Sequence, residues 1–334
     1  MDMYRKLLLL AIALLIACGD EKPAVKIGVS IPATTAPVYT LIKQAMMDHQ
    51  KEYGVEIVWN GVTDAGAKKD PATLEISQIR TLLSEGIRSL IITPIDGKKG
   101  YPILKAARRW HVPVITLDEM LVGIPVWGHI TVNEIGLGEA AAQYAVEQIG
   151  YSGNVLVLEG PPKVESMRNI AIGIYRILEQ YPDEIRVFSR ASTLNSDTAF
   201  DLTNLILKNY ARNIQAIIAV DSTIAVGAVR GAELHGLTDL IITVGVGAGE
   251  EACRLIITKK HDAEIDLMPY SRGLEALKAA VEALNNRSFT YDSELPNGEL
   301  TVKTQFSPIR RITSANYLVL KHTWPDLFTE YHEN

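Results

Sequence analysis

From Val25 onward the chain alternates short apolar runs with longer segments of helical spacing, and this alternation constrains the fold more than any other feature. The runs VKIGVSI (25–31), VEIVWNG (55–61), RSLIITPI (88–95) and VPVITLD (112–118) have the length and composition of buried strands. Between them lie amphipathic segments at 37–53, 70–86 and 100–110. Strands and helices that alternate in this way predict a parallel sheet covered by helices on both faces.

The same pattern restarts after an irregular segment that carries Gly123 and Pro125. Further helices are predicted at 136–150, 168–182, 197–211, 223–236 and 249–260, and further strands at 154–160, 185–192, 214–221, 239–247 and 263–269. A chain of 334 residues is long enough for two domains of ordinary size. The sequence therefore predicts an α/β protein built from two Rossmann-like, doubly wound parallel-sheet units.

The N-terminus has the pattern of a secretory signal. Arg5 and Lys6 precede an apolar run of 11 residues, 7–17, which is too short for a membrane-spanning helix of about 20 residues. The run ends in LIAC, which resembles the bacterial lipobox, with small Ala17 before Cys18. We expect a signal peptide at 1–17, lipidation of Cys18 and a lipidated tether at 18–24; an ordinary signal with a coincidental cysteine is the alternative.

Composition and motifs exclude several classes of function. The net charge of −6 and the absence of a basic run argue against a nucleic-acid partner. The chain has no GxGxxG after its first strand, no P-loop, no GxSxG and no CxxC or HExxH, so we expect no cofactor, no metal and no catalysis. Cys253, the second of only two cysteines, fits a buried structural thiol.

Acidic residues follow several predicted strands. In open α/β sheets, ligands bind beyond the carboxyl ends of the strands, where Asp96, Asp118, Glu159 and Asp221 are expected to lie. The alternative is that each acid caps the following helix. We favour capping or turn formation for Asp96. For Asp118, which Glu119 follows, no helix comes next, so a ligand contact is the better interpretation.

Taken in order, these segments resemble the type I periplasmic sugar-binding proteins of the ribose and galactose group. The resemblance covers about residues 25–320 and is carried by the ordered set KIGVSIP, YGVEIVW, LLSEGIRSLIITPID, VPVITLD, VNEIGLGEAAAQY, GNVLVLEGP, IQAIIAVD and TVGVGAGEEACRLI. Repressors that share this fold carry a DNA-binding helix-turn-helix at the N-terminus, where this chain has the predicted signal and the lipobox-like LIAC.

The resemblance implies a clamshell of two lobes joined by a three-segment hinge. The crossings would lie near 130–133, 266–268 and 301–306. The N-terminal lobe would comprise 25–130 plus 268–302, and the C-terminal lobe 131–267 plus 303–334. The resemblance thus corrects the pattern-based prediction of two consecutive domains: each lobe is built from two separate segments of the chain.

The resemblance also implies which residues contact the ligand. Three positions depart from the family pattern: Glu119 replaces an arginine, Gly247 an aspartate and Leu267 a glutamine. These changes argue against ribose itself and add negative charge, so the ligand is expected to be a carbohydrate or an amine-bearing small molecule. Packing of Tyr39 on its helix face and a surface position for Arg168 remain alternatives. The implied positions are Thr35, Tyr39, Asp118, Glu119, Arg168, Asn195, Asp221 and Asp266.

The implied function is that of an extracytoplasmic solute receptor. Such a protein would be lipid-anchored to the membrane, monomeric and free of enzymatic activity, and it would present a small polar ligand to an ABC permease. The alternative is a ligand-sensing partner of a membrane histidine kinase, which needs the same clamshell.

Overall fold

The computed structural model describes residues 24–32, 37–61, 70–210 and 213–329. Two sheets organise them. The first contains β1 (Val25–Ser30), β2 (Val55–Asn60), β3 (Ser89–Ile92), β4 (Val114–Leu117), β5 (Gly128–Val132), β11 (Ser293–Asn297) and β12 (Leu300–Ser307). The second contains β6 (Gly153–Glu159), β7 (Ile185–Ala191), β8 (Ala216–Ala219), β9 (Ile242–Val246), β10 (Ala263–Asp266) and β13 (Arg310–Thr313).

The strand order is that of two doubly wound units, which confirms the predicted fold class. The first sheet runs β11-β12-β5-β4-β3-β1-β2 and the second β13-β10-β9-β8-β6-β7. All pairings are parallel except β11 with β12 and β10 with β13. The helices are α1 (Pro37–His49), α2 (Pro71–Ser84), α3 (Tyr101–Arg109), α4 (Glu134–Gln148), α5 (Glu165–Leu178), α6 (Ser196–Tyr210), α7 (Ser222–Leu234), α8 (Glu250–Ile257), α9 (Pro269–Leu284) and α10 (Asp326–Thr329).

The central strands are continuous apolar runs because helices cover both faces of each sheet. Every residue of β3, β4 and β8 is buried. The two helices that cross most closely, α4 and α5, meet through glycines. A Cβ atom on Gly138 would lie 1.9 Å from the carbonyl oxygen of Ile170, and one on Gly173 would lie 2.0 Å from that of Ile135. Only glycine permits this backbone approach.

The chain passes between the sheets three times. It leaves the first sheet after β5, returns between β10 and α9, and leaves it again between β12 and β13. Since Ser307 still pairs with Val132 in the first sheet, the third passage lies at 308–309. The boundary expected at 302/303 therefore falls inside β12, and 303–307 belong to the sheet of the N-terminal lobe.

Two parts of the chain have more regular structure than the sequence patterns predicted. The segment expected to be irregular after Asp118 contains β5, and the region after 269 forms α9, β11, β12 and β13. Near the C-terminus, the Trp324 side chain packs on the second lobe and its Nε1 donates a hydrogen bond to the carbonyl of Ala248 at 2.9 Å. Cys253 is fully buried beside it, as expected, and burial raises the pKa of its thiol. Within the described ranges, no helix is both long and apolar enough to cross a membrane.

Candidate functional site

A cavity of about 740 Å³ lies between the two lobes, at the carboxyl ends of the first sheet's strands. One wall comes from the segment after β4, from β5 and from the β11–β12 hairpin. The opposite wall comes from the first turns of α4 and α5. This is the position at which open α/β sheets bind ligands.

Asp118, directly after β4, is fixed by its backbone. Its N–H donates to the carbonyl of Ile130 at 2.8 Å, and its φ of 61° is in the left-handed region, which non-glycine residues seldom adopt. Its Oδ1 lies 3.1 Å from Nε of Arg272, which α9 supplies. Burial raises the pKa of Asp118, and the guanidinium of Arg272 acts in the opposite direction.

Arg272 is the most unusual side chain at this site. The residue is only 2% exposed, and its contact with Asp118 is an ion pair that lacks hydrogen-bond geometry. Its buried Nε–H has no acceptor among the described residues. Arg272 does not itself line the cavity, so its guanidinium acts on the cleft through Asp118, to which it is paired.

Tyr39 on α1 joins this pair. It is half-buried and packs against the core of the first lobe, which is the alternative to a ligand contact given above. Burial raises the pKa of its hydroxyl, and the negative charge of Asp118 raises it further. Tyr39 is therefore close to the cleft as well as part of the packing.

Carboxylates from both lobes face each other across the cavity. Glu119 comes from the first lobe, and Glu134 and Glu165 are the first residues of α4 and α5. Partial burial raises the pKa of Glu119, and the negative charges of Asp118, Glu134 and Glu165 raise it further. Nδ2 of Asn169 donates to Glu134 at 2.7 Å, which lowers the pKa that burial has raised. The cleft is thus acidic on both walls among the described residues, and the buried Arg272 lies behind Asp118.

Three further predicted residues use their side chains locally. Asn195 accepts hydrogen bonds from the backbone of Asp197 and Thr198 and caps α6. Asp221 accepts from the backbone N–H of Thr223 at 2.7 Å and caps α7. Exposed Arg168 donates to the carbonyl of Pro162 at 2.7 Å. None of the three lines the cavity between the lobes, where neighbouring Asn169 takes the place expected for Arg168.

Asp266 lies apart from Asp118. Its Oδ2 forms an ion pair with Nη2 of Arg310 at 2.7 Å, and its Oδ1 accepts from the backbone of Met268 at 2.8 Å. It lines a separate cavity of about 340 Å³ next to the passage between β10 and α9. Its contacts are those of a hinge residue. Thr35 and Cys18 lie outside the described residues.

The sequence patterns missed Arg272, Glu134, Glu165 and Asn169. A signal for Arg272 existed, because it shares the buried face of α9 with Ala276, Ala280 and Ala283, where a charged residue needs a partner. Across the described ranges, no group of His, Cys, Asp and Glu side chains is arranged to hold a metal ion.

Comparison with known proteins identifies the family. A periplasmic binding protein domain model matches residues 27–288. The chain is 24% identical over 296 residues to a ribose import binding protein from Bacillus subtilis, covering 84% of this chain and 92% of that one. It is also 24% identical over 248 residues to a xylitol-binding protein from Mycolicibacterium smegmatis, covering 72% and 68% respectively.

A solved structure shows the same fold. It is an ABC transporter periplasmic solute binding protein from Actinobacillus succinogenes with bound D-allose. It matches with a TM-score of 0.68 at 20% identity, over 89% of this chain and all of the other. The family model spans well over half of the residues, and two discontinuous lobes enclose a cleft at their strand ends. The chain belongs to the periplasmic binding protein family.

Proposed function

We propose that this protein is an extracytoplasmic receptor that binds a sugar or sugar alcohol between its lobes and presents it to an ABC transporter. The observation that carries the proposal is the cavity between the lobes, which Asp118 lines with the buried Arg272 paired behind it. A carboxylate accepts hydrogen bonds, and the side-chain amide of Asn169, which also lines the cavity, can donate them, so the cavity can bind vicinal hydroxyl groups from both directions.

The relatives support the same class of ligand. Their names refer to ribose, xylitol and D-allose, all of which are small polyhydroxy molecules. Two of the three names refer to import or to an ABC transporter, and none refers to a kinase. The transport function is therefore favoured over the sensory alternative.

An amine-bearing sugar is a second candidate, favoured by one observation. Glu119, Glu134 and Glu165 come from opposite walls, and their negative charges raise the pKa of Glu119. A ligand ammonium group between them would relieve this repulsion, and it would do so best when the lobes are close together.

Isothermal titration of the chain starting at Gly19 tests the proposal. The panel contains ribose, allose, xylitol, myo-inositol and glucosamine. We expect saturable binding of at least one neutral sugar or sugar alcohol of the panel. Asp118→Asn should weaken the affinity for that ligand at least about tenfold, because it removes a hydrogen bond to a charged group. Asp239→Asn, the same change at an exposed second-lobe site, should leave affinity unchanged. Binding of glucosamine alone would establish the second candidate, and an unaltered affinity in Asp118→Asn would refute the assigned site.

We also propose that Cys18 carries the lipid that anchors the protein outside the cytoplasm. LIAC at 15–18 and the family membership support this anchor. Mass spectrometry of the protein purified from membranes would detect the added lipid mass, and Cys18→Ser should release the protein into the soluble fraction. Retention of Cys18→Ser in the membrane without any lipid mass would contradict the anchor.

A further inference from the structure

A second cavity, of about 610 Å³, lies at the opposite edge of the first sheet, where the strands begin. Arg88 precedes β3, Arg108 lies in the last turn of α3, and Arg287 follows α9. His111 and half-buried Trp127 complete the wall, and no acidic residue lines the cavity. Three segments that are far apart in sequence thus place arginines around one space.

The three guanidinium groups have no partner within the described ranges. The side chains of Arg88, Arg108 and Arg287 form neither an ion pair nor a hydrogen bond with any described residue. The backbone N–H of Arg88 donates to the carbonyl of Lys26 at 2.8 Å. All three side chains belong to exposed residues. Guanidinium groups bind phosphate oxygens through paired N–H donors, so this cavity has the chemistry of a phosphate site.

The surrounding edge is basic although the protein as a whole is acidic. The segments 24–26, 50–55, 84–88, 108–113, 125–127, 284–290 and 298–300 contain six Lys or Arg residues and three Glu residues, whereas the whole chain has a net charge of −6. Excess positive charge is therefore concentrated at this edge. Such a surface attracts an anionic partner over distances of about a Debye length, 8–10 Å at physiological salt.

Trp110 adds an aromatic group to the same edge. It follows Arg109 at the end of α3 and is 53% exposed. An exposed indole beside arginines is suited to the interfacial region of a bilayer, where Trp is enriched.

The position of the chain's entry point indicates which anionic surface is near. β1 begins at Val25 on this edge, next to Arg88. Cys18 is seven residues before Val25, a distance that an extended chain spans with about 25 Å at most. A lipid on Cys18 would therefore hold this edge, and not the ligand cleft, next to the membrane.

We propose that the basic edge docks on the membrane surface, with anionic phospholipid headgroups binding to Arg88, Arg108 and Arg287 and with Trp110 in the interfacial region. The location of the membrane rests on the proposed Cys18 anchor, whereas the headgroup affinity belongs to the folded lobe. Since the cleft is at the opposite edge of the parallel strands, docking leaves it open to solute.

Vesicle co-sedimentation tests the docking without the lipid anchor. The chain starting at Gly19 is mixed with vesicles of phosphatidylcholine, or of phosphatidylcholine partly replaced by phosphatidylglycerol. We expect binding to the second kind only, and weaker binding as salt is raised. The combined variant Arg88→Gln, Arg108→Gln, Arg287→Gln should lose about 100-fold in partitioning, because each cation near an anionic surface contributes about fivefold.

The matched control removes three exposed cations from the second lobe: Arg186→Gln, Arg190→Gln, Lys208→Gln. It should bind vesicles as the unmodified chain does, and both triple variants should keep the same thermal unfolding and the same cleft affinity. No binding to phosphatidylglycerol vesicles, or an equal loss in the control, would overturn the proposal. Saturable binding of inorganic phosphate without vesicle binding would overturn it in favour of a free-anion site. Loss of cleft ligand binding would bear on the proposed function alone.

Discussion

Replacing Glu75 with glutamine should stabilise the protein at neutral pH. Glu75 lies on α2, is 2% exposed, and accepts the backbone N–H of Ile95 at 3.3 Å with each oxygen. It forms no ion pair with any described residue. Burial raises its pKa from 4.5 to about 7; the negative charge of Asp96 adds to this rise, and the hydrogen bond from Ile95 opposes it.

The size and sign of the effect follow from that pKa. The pKa of Glu75 is about 7 in the folded state and 4.5 in the unfolded state. At 1.36 kcal/mol for each pH unit between them, ionisation of Glu75 destabilises the folded state by at most about 3 kcal/mol. A folded-state pKa above the unfolded value means that stability is lost as pH rises from about 4.5 to 7. Glutamine is neutral throughout and keeps an acceptor for Ile95. Glu75→Gln should therefore match the unmodified protein near pH 4 and exceed it by up to about 3 kcal/mol near pH 8.

Urea unfolding followed by tryptophan fluorescence, at several values between about pH 4 and 8, measures this difference. Three of the four tryptophans, Trp59, Trp110 and Trp127, lie in the lobe that contains α2, so the signal reports mainly on that lobe. Glu56→Gln, the same change at an exposed position of β2, is the control and should not alter the pH dependence. If the stability of Glu75→Gln follows the same pH profile as the unmodified protein, the assignment of the raised pKa to Glu75 is wrong.

Three other changes test the helix contacts and the cleft. Gly138→Ala should lower the free energy of unfolding, measured by urea titration, by about 1–3 kcal/mol, because the added Cβ would lie 1.9 Å from the carbonyl oxygen of Ile170. An unchanged unfolding midpoint would refute this close contact. Asp118→Asn should lower the free energy of unfolding by about 3–5 kcal/mol in the same assay, because it leaves buried Arg272 unpaired. Arg272→Met should lower it less, because the Asp118 side chain is 22% exposed and can take up a proton. Equal losses in the two variants would contradict this asymmetry. An amine-bearing ligand should lose affinity in calorimetry as the pH is lowered, because the raised pKa of Glu119 makes this carboxylate easier to protonate, whereas a neutral sugar should not; identical profiles would exclude an ammonium contact.

The strands and helices could be predicted to the extent that local patterns specify them. β4 was predicted because all four of its residues are apolar or β-branched and buried. β5 was missed because Gly128 and His129 interrupt the apolar pattern. His129 is 2% exposed and its Nδ1 is 2.9 Å from the hydroxyl of Thr116, while burial lowers its pKa to about 4. A strand whose polar residue is satisfied by a neighbouring strand cannot be identified from its own residues.

The same limit explains the site. Asp118 and Glu119 could be predicted, because the strand-end position depends only on the strand before them. Arg272 carried only the weaker signal of a charged residue on the apolar face of α9, and its pairing with Asp118 depends on a helix that follows the second passage between the lobes. Asp221 and Asn195 satisfied the strand-end rule equally well, but the helices that follow them supply free amides and they act as caps. The distinction between a ligand acid and a capping acid therefore depends on what comes next in the chain.

The position of Arg272 also connects the site to the hinge. Its backbone N–H donates to the carbonyl of Met268 at 3.1 Å, one helical turn earlier, and Met268 has a left-handed φ of 48° where the chain passes between the lobes. Gly273 fixes this turn against α1, since a Cβ there would lie 2.5 Å from the carbonyl of Ile42. Left-handed backbone at non-glycine residues costs about 1–3 kcal/mol and persists only where packing enforces it. Arg272 therefore connects Asp118, on the wall of the cavity, with the turn at which the chain passes between the lobes.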